Sequence, residues 1–231
     1  MLYIKENIDS IREQMNEACK RVGRNADEIQ LIAVTKTVDR EKINEAIAMG
    51  ITDIGENRVQ EIMDKYVAVS NVHWHMIGHL QTNKVKYIID KVKLIHSVDR
   101  ISLVQEINKR AKQNNRIMDI LVQVNVAKED TKFGLACEDV YDFLKQIQPL
   151  EHIKVKGLMT IAPYEENPED IRKYFKILKE MFEEIKLKKF LGVEMQYLSM
   201  GMTNDFQVAI EEGANIIRVG MGIFGRRNYN K

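Results

Sequence analysis

Short apolar runs alternate along the chain with segments in which apolar residues recur every three or four positions. Runs of this length are typical of buried β-strands, and the segments between them are typical of amphipathic helices. We predict strands at eight runs: 30–36, 52–57, 72–78, 94–99, 119–126, 155–162, 197–203 and 215–222. Strands that alternate with helices indicate parallel βαβ units.

Two helical segments show the pattern most clearly. The first precedes the first strand, and its apolar positions are Ile4, Ile8, Ile11, Met15, Ala18 and Val22. The second precedes the seventh strand, and its apolar positions are Ile171, Phe175, Leu178, Phe182 and Ile185. Spacings of three and four place each set on one helix face, so we interpret both stripes as packing surfaces.

The number of strands decides between two parallel architectures. Eight strand–helix units in 231 residues suit a (β/α)₈ TIM barrel, here with an extra N-terminal helix. A doubly wound open sheet is the alternative, but no GxGxxG motif follows the first strand. The chain has three prolines and no low-complexity linker. We therefore predict one domain that spans residues 1–231.

Composition narrows the classes of function. Lys and Arg total 35 and Asp and Glu total 34, a net charge of +1 that gives no general attraction to nucleic acid or anionic membranes. No run is long enough to span a bilayer, and the charged start is unlike a signal peptide. Cys19 and Cys137 form no metal or redox motif. We predict a cytoplasmic, monomeric protein.

Lys36 stands at the end of the first predicted strand, after the apolar run "LIAVT". In a TIM barrel the carboxyl ends of the strands carry the active site. Partial burial beside residues such as Val34 disfavours the charged ammonium, and a neutral amine can form a Schiff base with a carbonyl. The alternative is a strand-end lysine that extends into solvent.

Two glycine-containing loops are predicted after strands seven and eight, in "LSMGMTND" (198–205) and "RVGMGIFG" (218–225). Small residues let backbone N–H groups approach an anion, and these two loops form the common phosphate site of the fold. Tight turns of the barrel are the alternative explanation.

Arg218 shares a strand face with Ile216 and Gly220, so we expect it to point into the barrel. A buried arginine needs a partner. That partner is either a ligand acceptor or a carboxylate such as Glu56. Together with the loops, the pattern favours a ligand that has a phosphate near strands seven and eight and a carbonyl near Lys36.

Several motifs occur in one order along the chain: "LIAVTK" (31–36), "GENRVQE" (55–61), "HWHMIGHLQTNK" (73–84), "GLMTI" (157–161), "LSMGMTNDF" (198–206) and "IRVGMGIFG" (217–225). With these motifs the sequence resembles the pyridoxal-phosphate (PLP) homeostasis protein family, the single-domain relatives of the alanine racemase N-terminal barrel. The resemblance extends over essentially the whole chain.

The resemblance implies that Lys36 holds PLP as a Schiff base. It places the other cofactor-binding residues at Asn57, Ser199, Gly201, Thr203, Arg218, Gly220 and Gly222. In this comparison the two hydroxyls and the glycine backbone hold the phosphate, and Arg218 faces the pyridine nitrogen. Thr203 stands where the family more often has serine, and it keeps the hydroxyl. We assign no role to His79.

The motif "HWHMIGH" also raises the possibility of a metal site, because His73 and His75 could share a strand face. We see no cysteine or carboxylate near them in the sequence and predict no metal. We interpret Trp74 as a packed barrel residue.

An arginine at the pyridine nitrogen bears on whether the protein is an enzyme. It does not readily supply the proton that improves the cofactor as an electron sink. The chain also ends at "GRRNYNK", so we expect no second domain that contributes a base. We predict a protein that carries, buffers or delivers PLP, with apo PLP enzymes as transient partners.

Two other functions remain open. An enzyme with weak amino-acid racemase or lyase activity would be favoured by an inward Tyr or Cys opposite Lys36. A Schiff-base aldolase acting on a phosphorylated sugar would be favoured by a second lysine near Lys36, and we find no candidate on neighbouring strand ends.

Overall fold

The structure, a computed structural model, describes residues 2–69, 71–129 and 131–225, and for Leu2 the backbone only. Within these ranges eight parallel strands form a closed barrel in which each strand pairs with the next and β1 pairs with β8. The strands are β1 (Gln30–Val34), β2 (Asp53–Glu56), β3 (His73–Met76), β4 (Val92–Val98), β5 (Met118–Gln123), β6 (Ile153–Met159), β7 (Val193–Ser199) and β8 (Ile216–Val219). The predicted TIM barrel is confirmed, and the open-sheet alternative is wrong.

Helices precede β1 and follow most of the strands. They are α1 (Leu2–Arg21), α2 (Arg40–Ala48), α3 (Val59–Lys65), α4 (Ile101–Gln113), α5 (Val140–Ile147), α6 (Arg172–Lys188), α7 (Phe206–Glu211) and α8 (Met221–Phe224). A 3₁₀ helix, Thr82–Tyr87, takes the place of an α-helix between β3 and β4. Among the described residues, no helix is both long enough and apolar enough to cross a lipid bilayer.

Helix α1 is the predicted extra N-terminal helix. Five of its six predicted apolar positions are buried, from Ile4 to Ala18. The prediction is wrong for Val22, which is 41% exposed because α1 ends one residue earlier. The helix packs against α7 and α8, and Asn7 Nδ2 donates to the backbone oxygen of Ile223 at 2.9 Å. The second predicted stripe, on α6 and the turn before it, is buried throughout.

The last two strands end earlier than predicted. The prediction placed strand seven at 197–203, but β7 ends at Ser199, and Gly201 has a φ of +92° that an extended strand cannot contain. Strand eight was predicted at 215–222, but β8 ends at Val219 and the short helix α8 follows. At the carboxyl edge of the barrel, the glycine-containing segment after β7 therefore forms a turn, and the one after β8 forms a short helix.

The barrel interior combines an apolar cluster with buried polar groups. Five residues form the cluster: Ile32, Leu94, Leu121, Met159 and Ile216. The polar groups beside it, His75, His96, Ser199 and Arg218, are at most 4% exposed. Buried polar groups require hydrogen-bond partners, so their contacts define part of the site described below. Residues 226–231 of the segment "GRRNYNK" lie outside the described residues.

Candidate cofactor-binding site

A cavity opens at the carboxyl ends of β1, β6, β7 and β8. Its volume is about 250 Å³, close to the lower end of the range of small-molecule sites, about 300–1,000 Å³. Its lining combines apolar side chains, such as Val34 and Ala162, with polar groups of the loops after β7 and β8. This is the edge of the barrel at which TIM-barrel enzymes place their active sites.

Four of the predicted site residues line this cavity: Lys36, Thr203, Arg218 and Gly220. Lys36 lies two residues beyond the end of β1 and is half-buried. Arg218 lies on β8 and is 4% exposed. The structure thus brings together an amine, a hydroxyl and a guanidinium that are far apart in sequence.

The other four predicted residues do not line the cavity. Asn57 borders a neighbouring cavity formed after β2 and β3, where Arg58 and His79 also lie. Ser199 is fully buried and contacts Arg218 from inside the barrel. Gly201 and Gly222 shape the two loops rather than face the open space.

The loops after β7 and β8 are tied to each other. The N–H of Gly222 donates to Thr203 Oγ1 at 3.3 Å. Asp205 accepts a hydrogen bond from the backbone N–H of Met202 and so closes the first loop on itself. A Cβ atom on Gly201 would lie 2.6 Å from the Cβ of Ala209, so the turn needs glycine for close packing as well as for its backbone angle.

Arg218 enters the cavity from the barrel interior, as its strand position predicts. Its Nη1 donates to Ser199 Oγ at 2.6 Å and its Nη2 to the backbone oxygen of Thr160 at 2.8 Å. Burial lowers the pKa of Arg218 to about 10, and the negative charge of Asp205 partly opposes this shift. The side chain therefore stays cationic at neutral pH. The alternative partner, Glu56, is wrong, because that carboxylate contacts Lys65 instead.

A second lysine contacts the backbone next to Lys36, although we found no candidate on the neighbouring strand ends. Lys65 on α3 donates to the backbone oxygen of Thr35, to Glu56 Oε1 and to Glu61 Oε2, each at 2.8 Å. It is buried between the barrel wall and α3 and does not line the Lys36 cavity. From this position Lys65 stabilises the backbone next to Lys36.

The two carboxylates that contact Lys65 also accept hydrogen bonds from the residues immediately before and after Lys36. Thr35 Oγ1 donates to Glu56 Oε1 at 2.7 Å, and the backbone N–H of Thr37 donates to Glu61 Oε2 at 2.7 Å. Burial raises the pKa of Glu56 even though Lys65 opposes the shift. Burial would also raise the pKa of Glu61, but hydrogen bonds from Lys65 and Thr37 lower it overall.

The hydrogen bond from Thr37 to Glu61 stabilises an unfavourable backbone conformation at Thr37. Its φ is +61°, in the left-handed region that residues other than glycine adopt at a cost. We call Glu56, Glu61 and Lys65 the rear brace, because they hold the segment 35–37 from the helix side. The sequence contains a signal for it: Glu61 and Lys65 are four residues apart on α3, a spacing that favours an ion pair.

The histidines of "HWHMIGH" have carboxylate neighbours that the sequence did not reveal. Asp53 Oδ1 lies 2.9 Å from His75 Nε2 and 3.3 Å from His73 Nδ1. Within the described part of the chain, no group of three or more His, Cys, Asp or Glu side chains has an arrangement that could hold a metal ion. Trp74 is buried, which confirms its interpretation as a packed residue. His79 stacks on Phe133, with ring centroids 3.8 Å apart.

Among the described residues, the cavity lining contains no buried Tyr or Cys, the two residue types that would favour a racemase at this position. Tyr164 lines the cavity, but it is 75% exposed and stands at the mouth. Cys19 and Cys137, both described in the structure, are not part of the lining. The feature that would favour a racemase is therefore not found among the lining residues.

The fold and this site define a single-barrel protein of the alanine racemase N-terminal class. The family model described as "Alanine racemase, N-terminal domain" matches residues 6–228. Within that class the chain belongs to the family of pyridoxal phosphate homeostasis proteins. The member from Aquifex aeolicus (strain VF5) is 47% identical over 226 residues, which cover 97% of this chain and 98% of that protein.

Solved structures agree with this assignment. A crystal structure described as that of an unknown protein from Bifidobacterium adolescentis is 32% identical and superposes with a TM-score of 0.92, covering 96% of this chain and 94% of that chain. PipY of Synechococcus elongatus PCC7942, in the structure solved with PLP bound, is 32% identical with a TM-score of 0.84. The match covers 96% of this chain and all of that chain.

Proposed function

We propose that this protein binds PLP in the Lys36 cavity and serves in PLP homeostasis by carrying, buffering or delivering the cofactor. The observation that carries the proposal is the convergence of Lys36 and Arg218 on one cavity at the active edge of the barrel. The PLP-bound structure of PipY and the names of the relatives support it.

The residues of the cavity fit PLP chemically. PLP supplies an aldehyde, which condenses with an amine to form a C=N bond with loss of one water. Lys36 provides that amine, two residues after β1. We propose that Thr203 and the backbone around Gly220, which line the cavity, hold the phosphate, and that Arg218 donates to the pyridine nitrogen. A side chain at Gly222 would approach Thr203 Cγ2 to 3.2 Å, so small residues keep this loop open.

The remaining predicted residues enter the proposal in different ways. Ser199 holds Arg218, because its hydroxyl is already occupied inside the barrel. Gly201 and Gly222 set the backbone of the phosphate loops. The assignment of Asn57 is supported by the family resemblance alone, since its side chain borders the neighbouring cavity.

We propose handling of the cofactor, rather than turnover of amino acids, as the principal role. A cationic Arg218 does not supply a proton readily, so it makes bound PLP a weaker electron sink. Tyr164, the candidate for a second base, stands at the exposed mouth. Further parts of the proposal are one domain over residues 1–231, a monomer in the cytoplasm, and transient contact with apo PLP enzymes. A weak racemase or lyase is the alternative.

Covalent binding is tested by adding PLP to the purified protein and to Lys36→Ala. The wild type should gain a visible absorption band that borohydride removes, and mass spectrometry should locate the reduced pyridoxyl group on Lys36. Lys84→Ala is the matched control, because Lys84 lines the neighbouring cavity. The same reducible band in Lys36→Ala would refute the assignment.

Two assays separate handling from catalysis. The loaded protein should restore activity to an apo PLP enzyme, and it should exchange the α-proton of amino acids in deuterated water slowly or not at all. Lys36-dependent exchange at typical enzyme rates, above roughly 1 per second, would establish the enzymatic alternative. Failure to restore any apo-enzyme would remove delivery from the proposal.

A further inference from the structure

A continuous chain of hydrogen bonds runs through the barrel interior from Asp53 to Arg218. His75 Nε2 lies 2.9 Å from Asp53 Oδ1, and His75 Nδ1 lies 3.0 Å from His96 Nε2. His96 Nδ1 lies 3.0 Å from Ser199 Oγ, which accepts from Arg218 Nη1 at 2.6 Å. Asp53 begins β2 at the amino end of the barrel, and Arg218 lines the Lys36 cavity at the other.

The chemistry of the two ends fixes the direction of every bond in this chain. An ionised carboxylate only accepts, so the proton between Asp53 and His75 belongs to His75 Nε2. A neutral His75 must then accept at Nδ1, and the proton between the imidazoles belongs to His96 Nε2. His96 in turn accepts at Nδ1 from the hydroxyl of Ser199. This direction is consistent with the Arg218 end of the chain of hydrogen bonds, because Arg218 can only donate and Ser199 Oγ accepts from it.

Burial supports the neutral imidazoles that this direction requires. His75 is 1% exposed and His96 is fully buried. Burial lowers the pKa of His75, although the hydrogen bond to Asp53 opposes the shift. Burial, with the positive charge of Arg218, holds the pKa of His96 well below its usual range. Both rings are therefore neutral at physiological pH.

The two ends of the chain carry opposite charges. Burial would raise the pKa of Asp53, but hydrogen bonds from His75 and Thr52 together with nearby positive charge hold it well below its usual range. Asp53 is thus an anion and Arg218 a cation, joined by four hydrogen bonds. Polar groups in series polarise one another in a low-dielectric interior.

We propose that Asp53, His75, His96 and Ser199 are positioning residues. Together they form one hydrogen-bond chain of fixed direction, here called the relay, which orients the guanidinium of Arg218 towards the pyridine nitrogen of PLP. The part of this inference that concerns the cofactor rests on the proposed function. The relay itself is a property of the protein and can be tested without PLP. A merely packed set of polar residues would satisfy its hydrogen bonds without any coupling between the two ends.

The relay is tested on the full-length protein with ¹⁵N-labelled histidine, using long-range ¹H–¹⁵N correlations that show which imidazole nitrogen carries the proton. In the wild type both His75 and His96 should be neutral and protonated at Nε2. Asp53→Asn is nearly isosteric, but its amide can either donate or accept, so it no longer fixes one direction. A population protonated at Nδ1 should then appear at His75 and also at His96, which does not contact residue 53.

Asp119→Asn is the matched control, since Asp119 also lies near the start of its strand but forms no part of the chain. It should leave both rings in the wild-type state. A change confined to His75 in Asp53→Asn, or wild-type rings protonated at Nδ1, would overturn the relay.

A second measurement concerns the cofactor and uses Ser199→Ala, which removes the contact to Arg218 with little change in volume. PLP should bind about tenfold or more weakly, as expected when a hydrogen bond to a charged group is lost. The absorption of bound PLP should also shift, because Arg218 is no longer held in place. Unchanged affinity and spectrum would refute positioning even if the tautomers agree.

If the wild type failed to bind PLP, the proposed function would fail while the tautomer result would still decide the relay.

Discussion

The ammonium of Lys65 lies 2.8 Å from the backbone oxygen of Thr35, the residue that immediately precedes Lys36. The same nitrogen contacts Glu56 and Glu61 at equal distances. A residue on α3 thus fixes the backbone at the end of β1. Because the rear brace holds both neighbours of Lys36, the lysine side chain starts from a defined position.

Replacement of Lys65 should be strongly destabilising. Lys65→Met keeps the length of the side chain but leaves Glu56, which is fully buried, without its cation. Removing one partner of a buried ion pair typically costs about 3–5 kcal/mol. Urea denaturation should show a loss of this order. Lys145→Met is the control, because both side chains of the Lys145–Asp142 pair are more than 60% exposed, and it should cost at most about 1 kcal/mol. Equal effects of the two substitutions would contradict the rear brace.

Asp53 should make stability depend on pH in the acid range. Its pKa is lower in the folded protein than in the unfolded chain, so on acidification the unfolded chain binds this proton first. The stabilisation is complete above the ordinary aspartate pKa of about 4 and is lost as the pH falls below it. In Asp53→Asn the slope of unfolding free energy between about pH 5 and pH 3 should fall by up to 1.4 kcal/mol per pH unit. Asp142→Asn, at an exposed site, should keep the wild-type slope.

Gly201→Ala should destabilise the turn that follows β7. The φ of +92° disfavours any Cβ, and that atom would also lie 2.6 Å from the Cβ of Ala209. Gly23 provides the matched control, because it has a φ of +67° with nothing within 4 Å of a built Cβ. Gly23→Ala should cost about 1 kcal/mol for the backbone alone, and Gly201→Ala should cost clearly more. Thermal unfolding of the two variants measures the difference, and a smaller loss for Gly201→Ala would contradict the packing described.

Thr203 should contribute to recognition of the phosphate. Thr203→Val is isosteric but lacks the hydroxyl, so PLP affinity should fall by about tenfold or more while affinity for pyridoxal, which has no phosphate, changes little. Thr203→Ser retains the hydroxyl and should bind PLP like the wild type. Titrations with both ligands measure the ratio. A parallel loss of pyridoxal binding would indicate that Thr203 shapes the cavity instead.

The barrel architecture could be predicted from the sequence because each strand and helix has its own periodic pattern of apolar residues. Each of the eight predicted strands overlaps an observed one, and α1 and α6 bury the expected faces. The errors fall at the ends of strands and of helix α1. The segment 197–203 continues as apolar and small residues past Ser199, and glycine permits both an extended strand and a turn. Local sequence alone cannot choose between these, because packing against Phe206 and Ala209 fixes the turn.

The candidate site could be predicted from the sequence only in part, for a different reason. Lys36, Thr203, Arg218 and Gly220 were predicted from strand ends, loops and family resemblance, and they do line one cavity. The rear brace and the interior hydrogen-bond chain depend on the register of several strands at once, which no single segment encodes. His75 illustrates the limit, because its spacing to His73 raised only the possibility of a metal site, whereas its partners in the structure are Asp53 and His96.

The location of Asp53 has a consequence for protein engineering and for the interpretation of genetic variants. In TIM barrels, residues at the amino ends of the strands are usually assigned to stability and those at the carboxyl ends to chemistry. Asp53 lies at the amino end, yet its hydrogen-bonded neighbours lead through the barrel to Arg218. A library that randomises the base of this barrel to gain thermostability should therefore keep Asp53 fixed, and a well-folded variant at this position should be screened for cofactor defects.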